Sequence, residues 1–487
     1  MTTRSLPFRR DAILCATVLL LASCATVRRD LADLRRTDSL NTSASPNEPW
    51  QPASNALPAA SFSQVTDVHF PANYTPGMQI SLGQIVDLAL SNNPSTRIAW
   101  LQARAAEAEV ASRRAAWLPE VDLNASLVRS RSAAQAGRPS VTQTTFGPSI
   151  ALNQLLFDFG GRTALVDEAR AALVSANLLH NQSIQDVILR AETAYYRVLD
   201  GGALMAAQDA TIKERQTFLD AAEARHRAGV STIADVLQAR TALSQATLAR
   251  ETIEGDSRTA EGQLATAMGL PPATRVDVGS LPVEIPAREL ATAVEALIEN
   301  AVANRPDLNA ARAGVLAAEA RVREVRAQGL PSVSLSSSIG RTSPGLSTSG
   351  SVGYSAGVFF RWPLFTGFRN TYDVRRAQFA AESQRENARR VEQSVGLDVW
   401  TGYYALQTAT QRLNTVRDLL KSAQESVDVA SGRYRAGVGS VIDLLTAEAA
   451  LENARAEEVR ARTDWFLSIA RLAHDTGTLT PQTTEGK

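Results

Sequence analysis

The sequence predicts a mainly helical protein, built by tandem duplication, in which each half carries one hairpin of membrane-length β-strands. Three observations predict it. First, Arg227-Ala228-Gly229-Val230, followed by Ile233-Ala234-Asp235-Val236-Leu237, returns 208 residues later as Arg435-Ala436-Gly437-Val438, followed by Val441-Ile442-Asp443-Leu444-Leu445. Second, the apolar spacing after Leu118-Pro119, and again after Leu330-Pro331, changes from helical to alternating. Third, each hairpin is followed by a helical pattern of some 64 residues, roughly 95 Å of helix, which no compact globular domain needs. Further landmarks recur at a similar offset, Asn93-Pro94 and Arg305-Pro306 at 212, Tyr195-Tyr196 and Tyr403-Tyr404, and Gly269 and Gly477, at 208. A period near 210 residues is far beyond solenoid repeats, so each half is a full structural unit and a pseudo-symmetry axis should relate the two.

In order along the chain, residues 1–23 read as an export signal. Arg4, Arg9 and Arg10 precede an apolar run over 12–22, too short to span a bilayer as a helix. The run ends in Leu21-Ala22-Ser23-Cys24, which resembles the bacterial lipobox; that resemblance implies a diacylated Cys24 at the mature N-terminus, and Ala25 after it implies sorting to the outer membrane. Cys15 leaves with the signal, so the mature chain holds no disulfide-capable pair. Residues 24–76, rich in Pro, Ser, Ala, Asn and Thr, form an extended arm. The first repeat occupies 77–280, the second 281–478, and 479–487 are a tail.

Each repeat opens on a helical pattern, over 81–118 and 291–330, and both stop at Leu-Pro. Val121, Leu123, Ala125 and Leu127 then alternate with Asp122, Asn124 and Ser126, and Val333, Leu335 and Ile339 alternate with serines, the period of a strand with one apolar face. After a Gly/Ser/Thr-rich loop a second strand returns, clearest at Val352, Tyr354, Ala356, Val358, Phe360 and Trp362. Strands of about ten residues suit a tilted membrane crossing. The exits 156–162 and 363–369 are aromatic and glycine-punctuated, and Phe157, Phe159, Trp362 and Phe365 are expected at the membrane interface. The second exit reads one residue shorter and lacks the first one's Asp.

Long helices follow over 162–225 and 369–433, with Gly201-Gly202 and Gly396 with Gly402 as candidate kinks. Gly229 and Gly437 end these helices in a left-handed turn. Thr232 with Asp235, and Ser440 with Asp443, then read as capping boxes that start a returning helix of about forty residues. The tips are therefore tight helical hairpins.

Lys+Arg and Asp+Glu both number 50, which gives no electrostatic case for nucleic acid. The four histidines lie apart from Cys or carboxylates at metal spacing, no nucleophile elbow or phosphate loop is present, and Met78, Met205 and Met268 form no metal path. No catalysis, cofactor or metal is expected. Four membrane strands per chain leave two bare edges, which lipid does not tolerate. Copies must close the barrel: two would give a minimal barrel filled by its own side chains, three would give twelve strands with room for a lumen, and three are expected.

This layout resembles the TolC-like outer-membrane efflux family over 81–477. The resemblance is carried by the two Arg-Ala-Gly-Val tips, the Asp of each following helix, the Asn-Pro and Arg-Pro helix starts and the exit at 157–162. It implies a homotrimer with a 12-stranded β-barrel in the outer membrane, continuous with a 12-helix periplasmic α-barrel. It also implies docking of the tips (Arg227, Gly229, Val230, Arg435, Gly437, Val438) on a periplasmic adaptor bound to an inner-membrane pump. Asp443 falls at a gate carboxylate of the family, while the second acid often found one turn later is Thr446 here. A bland role for Asp443, as capping-box partner only, stays open. The function expected is a passive exit duct of a tripartite efflux system; the alternatives are the outer-membrane component of a type I secretion system, or a periplasmic coiled-coil adaptor or scaffold.

Overall fold

The computed structural model describes residues 79–133, 139–282, 293–345, 347 and 349–479. Cys24 and the arm lie outside them. The helical stretch before each hairpin is two helices, with the break at the proline: α1 (Leu82–Asn92) and α2 (Pro94–Arg114) in the first repeat, α5 (Val294–Asn304) and α6 (Pro306–Ala327) in the second. Proline lacks the N–H that would continue a helix but suits its first turn. Ser81 and Gln84 cap α1 reciprocally, and the Asn93 side chain accepts from Ser95 N at 2.9 Å to start α2.

The strands are β1 (Glu120–Arg131), β2 (Thr142–Phe157), β3 (Ser332–Pro344) and β4 (Ser351–Arg361), joined in one antiparallel sheet in the order β1-β2-β3-β4. The strands reach further into the connecting segments than the sequence suggests, and a bulge interrupts β2 between Leu155 and Phe157. Directly paired residues share a face, so the register fixes two surfaces. One carries Val121, Leu123, Leu127, Ile150, Leu152, Ile339, Tyr354 and Val358; the other carries Asp122, Asn124, Ser149, Asn153, Ser336, Ser338 and Ser355. Among the described residues, both outer edges, β1 and β4, lack a partner strand.

Two helices of 67 residues follow, α3 (Gly161–Arg227) and α7 (Arg369–Arg435), each about 100 Å long. Each turns back into a 35-residue helix, α4 (Ile233–Ala267) or α8 (Val441–Asp475). The glycines expected to kink the long helices sit inside unbroken helix. Gly201 instead allows close approach, since a Cβ there would lie 3.0 Å from Ser257 Oγ on α4, and Gly402 does the same toward Asp475 on α8. The cores repeat with the topology: Ile85, Val187, Ile188, Leu264 and Met268 join α1, α3 and α4, while Ala301, Leu308, Val395, Val399 and Trp465 join α5 to α8. Among the described residues no helix is long and apolar enough to cross a membrane.

Candidate functional site at the helix tips and strand exits

The tips hold the predicted geometry. Gly229 has φ +76° and Gly437 φ +75°, with open space where a Cβ would stand, so backbone conformation and not crowding calls for glycine. Val230 N donates to Arg225 O at 3.0 Å and Gly229 N to His226 O at 2.9 Å; Val438 N and Gly437 N do the same to Arg433 O and Tyr434 O. These bonds satisfy the last carbonyls of each long helix. Beyond the turn, Thr232 N donates to Asp235 Oδ2 at 3.1 Å and Asp235 N to Thr232 Oγ1 at 3.4 Å. Ser440 N donates to Asp443 Oδ2 at 3.4 Å and Asp443 N to Ser440 Oγ at 3.0 Å. Both capping boxes are complete. Val230 is 63% exposed and Val438 69%, apolar side chains held outward at the extreme ends of their hairpins. Arg227 and Arg435 are exposed beside them.

Asp443 keeps its carboxylate at the surface, where it lines a cavity of about 490 Å³ with Arg433, Glu425, Ser422 and Ser426. The two tips are bound to each other by an apolar cluster of Phe218, Leu219, Ala222, Val236, Tyr434, Val441 and Leu444. Arg225 reaches across it, donating to Tyr434 O at 3.0 Å with its guanidinium 4.8 Å from the Tyr434 ring.

Further along the same bundle lies a group that the sequence reading missed. Arg215 on α3, only 4% exposed, pairs with Glu448 at 2.5 Å and Glu452 at 3.5 Å on α8, and Gln208 joins Glu452 at 3.0 Å. Burial pushes the Glu448 carboxyl up, and Arg215 pulls it back. The partners are more than 230 residues apart in the chain. The one local hint was an arginine on a helix face that otherwise carries buried residues such as Thr211, Phe218 and Leu219.

At the other end of the long helices the four predicted aromatics, Phe157, Phe159, Trp362 and Phe365, are all exposed. Phe157 and Phe159 meet edge to face at 4.8 Å, and Phe365 meets Phe368 at 5.5 Å. The second exit is not shorter than the first. Phe365 takes the place of Phe157 and Thr366 that of Asp158, and two left-handed residues follow in each, Phe159-Gly160 and Gly367-Phe368. The apparent deletion arises because glycine and phenylalanine exchange positions. In the first exit Arg162 N donates to Asp158 Oδ2 at 2.6 Å, and the Arg162 guanidinium, 4.2 Å from the Trp117 ring, donates to Leu155 O and Leu156 O. In the second, Asn370 N donates to Thr366 Oγ1 at 3.4 Å.

Among the described residues no group of three or more His, Cys, Asp and Glu could hold a metal ion. The sequence profile described as outer membrane efflux protein matches residues 85–270 and 297–478, once in each half. CyaE of Bordetella pertussis is 30% identical over 388 residues, 78% of this chain and 80% of that protein. TolC of Escherichia coli is 24% identical over 419 residues, 82% and 83% of the two chains. The solved outer-membrane channel OprN shares the fold, with a TM-score of 0.75 at 21% identity over 85% of this chain and 96% of that one. The chain belongs to the outer membrane efflux protein family and is an outer-membrane exit duct.

Proposed function

We propose that three copies of the chain assemble into one duct, with the sheets closed into a 12-stranded barrel and the long helices forming a periplasmic tunnel. The observation that carries this is the four-stranded sheet itself: it has one apolar face, strands of membrane length and two unpartnered edges. Lipid requires every backbone N–H and C=O to be paired, so such a sheet is stable in a bilayer only when copies close it. A periplasmic adaptor would have no use for an apolar sheet face of this height. The trimer reading predicts a heat-modifiable band of three chain masses after extraction from outer membranes; a detergent-extracted monomer that conducts ions would overturn it.

The duct does no chemistry and takes its cargo from a pump through a periplasmic adaptor that docks on the tips. Exposed Val230 and Val438, projecting beyond turns whose glycines hold a positive φ, support that docking. Val230→Glu with Val438→Glu leaves both turn glycines in place. Unchanged adaptor crosslinking and export in a normal trimer would place docking elsewhere. Asp443, repeated three times at the tip end, forms the acidic ring that narrows the entrance and favours cations. Asp443→Ser in single-trimer bilayer recordings should weaken cation preference more than Asp235→Ser does; equal small effects leave Asp443 with its capping role alone. Cys24 is the lipid anchor, and Cys24→Ala should abolish fatty-acid labelling.

A further inference from the structure

The charges on the polar face of the sheet are confined to the two free edges. On β1 they are Glu120 and Asp122, and on β4 Arg361. The register places all three on one face: Glu120 is opposite Asn153, Asn153 opposite Ser336, and Ser336 opposite Gly357, from which Arg361 lies four residues on. Between them that face is Asn, Gln, Ala, Ser, Thr and Gly on β2, with Leu155 near its exit, and Ser, Gly and Thr on β3. Glu120 begins the upward strand β1 and Arg361 ends the downward strand β4, so the opposite charges stand at the same end of the sheet.

All three side chains belong to exposed residues, and among the described residues none of them makes an ion pair. The carboxylates that line one cavity with Arg361 already have partners: Asp158 pairs with Arg162 at 3.5 Å, Glu324 with Arg321 at 3.1 Å and Asp373 with Arg376 at 3.1 Å.

From this placement we propose that the seam between protomers is set by cross-subunit ion pairs, with Arg361 at the end of β4 meeting Glu120 and Asp122 at the start of β1 of the next copy. The inference rests on the closed trimeric barrel. Closure brings β4 beside a neighbouring β1, antiparallel, with polar faces together. Opposite charges directly or diagonally across neighbouring strands attract, and like charges there repel. Because a strand slip of one residue turns a side chain to the opposite face, the pair also selects register where backbone pairing alone is permissive. The occupant of each bare edge is thus a second copy of this chain, with β4 of one copy against β1 of the next.

Charge exchange tests it in the full-length protein extracted from outer membranes. Arg361→Glu, and separately Glu120→Lys with Asp122→Lys, should lower the fraction of chain recovered as trimer severalfold at a temperature where the wild type stays assembled. The triple variant should recover trimer, and high salt should narrow the differences. Wild-type dissociation temperatures for both charge variants, or a triple variant no better than its parents, would overturn the seam. A wild type that is never trimeric would instead remove the barrel reading beneath it. A second arm does not depend on stability: Arg361→Cys with Asp122→Cys, in a Cys15→Ala background, treated with a short bifunctional thiol reagent. Ladders of dimer and trimer support the seam, and monomer bands alone from an assembled trimer refute it.

Discussion

In the first exit Trp117 lies flat on Arg162, whose guanidinium closes two strand carbonyls, and Asp158 caps the long helix. At the matching places of the second exit stand Gly329, Asn370 and Thr366. A Cβ on Gly329 would collide with the Asn370 side chain, which would have to turn away. Large faces large in one half and small faces small in the other, around the same pair of left-handed residues. The same trade recurs along the long helices. Gln208 and Arg215 on α3 correspond to Val416 and Ala423 on α7, which pack in apolar clusters with Ala461 and with Leu451 and Ala454. At the helix breaks the direction reverses. Asn93 donates to Ala267 O, while Arg305, in the matching place, reaches Asp475 O and also pairs with Asp307 and Asp398. A duplicated fold therefore holds backbone geometry constant while contact chemistry changes in coupled sets.

The largest effect expected from breaking this asymmetry is at the polar track. Arg215→Ala leaves Glu448 charged and buried, which costs about 4 kcal/mol, and should lower the thermal midpoint of the detergent-solubilised protein. Replacing Arg215 and Glu448 together with Met and Leu, after the apolar pattern of the other half, should recover most of that loss. No recovery would mean that Glu452 and Gln208 depend on the pair more than this geometry indicates.

Next come the exits. Arg162→Asn alone removes two charge-assisted bonds and the stacking on Trp117, a loss of about 3 kcal/mol. Grafting the whole second-exit set, Trp117→Gly, Asp158→Thr and Arg162→Asn, should cost less than the sum of its single substitutions. Strict additivity in thermal melts would show that the three residues do not act as a unit.

Tip substitutions are smaller. Gly229→Ala and Gly437→Ala each force a side chain into positive φ, about 1 kcal/mol apiece. The neighbouring positions separate the tips: a Cβ on Gly439 would lie 3.0 Å from Arg433 Cβ, whereas its counterpart is Ser231. Gly439→Ala should therefore destabilise and Ser231→Ala should not; equal melts would remove that distinction.

The pattern of what the sequence disclosed follows from range. Tips, caps, strand alternation and the duplication are encoded within a few residues, so Gly229, Thr232 with Asp235, and Val121 to Leu127 could be read directly. The Leu-Pro stops were legible, but Pro94 and Pro306 as helix starts imply breaks that a continuous apolar pattern conceals. Arg162 and Arg215 were invisible as anchors, since Trp117 and Glu448 lie 45 and 233 positions away in the chain. The exchange of glycine and phenylalanine at the second exit looked like a deletion, because φ is not written in the letters. What Gly201 and Gly402, read as candidate kinks, admit is a neighbouring helix distant in sequence, for the same reason not visible in the letters.

The last contrast between the halves concerns His474, whose counterpart in the first half is Thr266. Its Nε2 lies 3.0 Å from Asp186 Oδ1 on α3 and its Nδ1 3.1 Å from Asp475 Oδ1, while Arg305 reaches the Asp475 carbonyl and Arg471 approaches its carboxylate at 4.0 Å. Burial opposes a charged imidazole, but the hydrogen bonds to Asp186 and Asp475 outweigh it and hold the pKa at about 9. Burial likewise opposes ionisation of Asp186, but the hydrogen bonds from His474 and Gln182 and the charges of His474 and Arg190 together outweigh it and lower its pKa. A histidine whose folded pKa is raised adds stability that is complete below its ordinary value near 6.5 and disappears as pH rises through 9. The aspartate's share is present above its ordinary value and fades in acid. Wild type should thus melt above His474→Gln between pH 5 and 7, and the gap should close by pH 10, while Thr266→Ala shows no such trend. A gap that stays constant across this range would mean that His474 packs as a neutral ring and that the second half's extra charges add nothing through it.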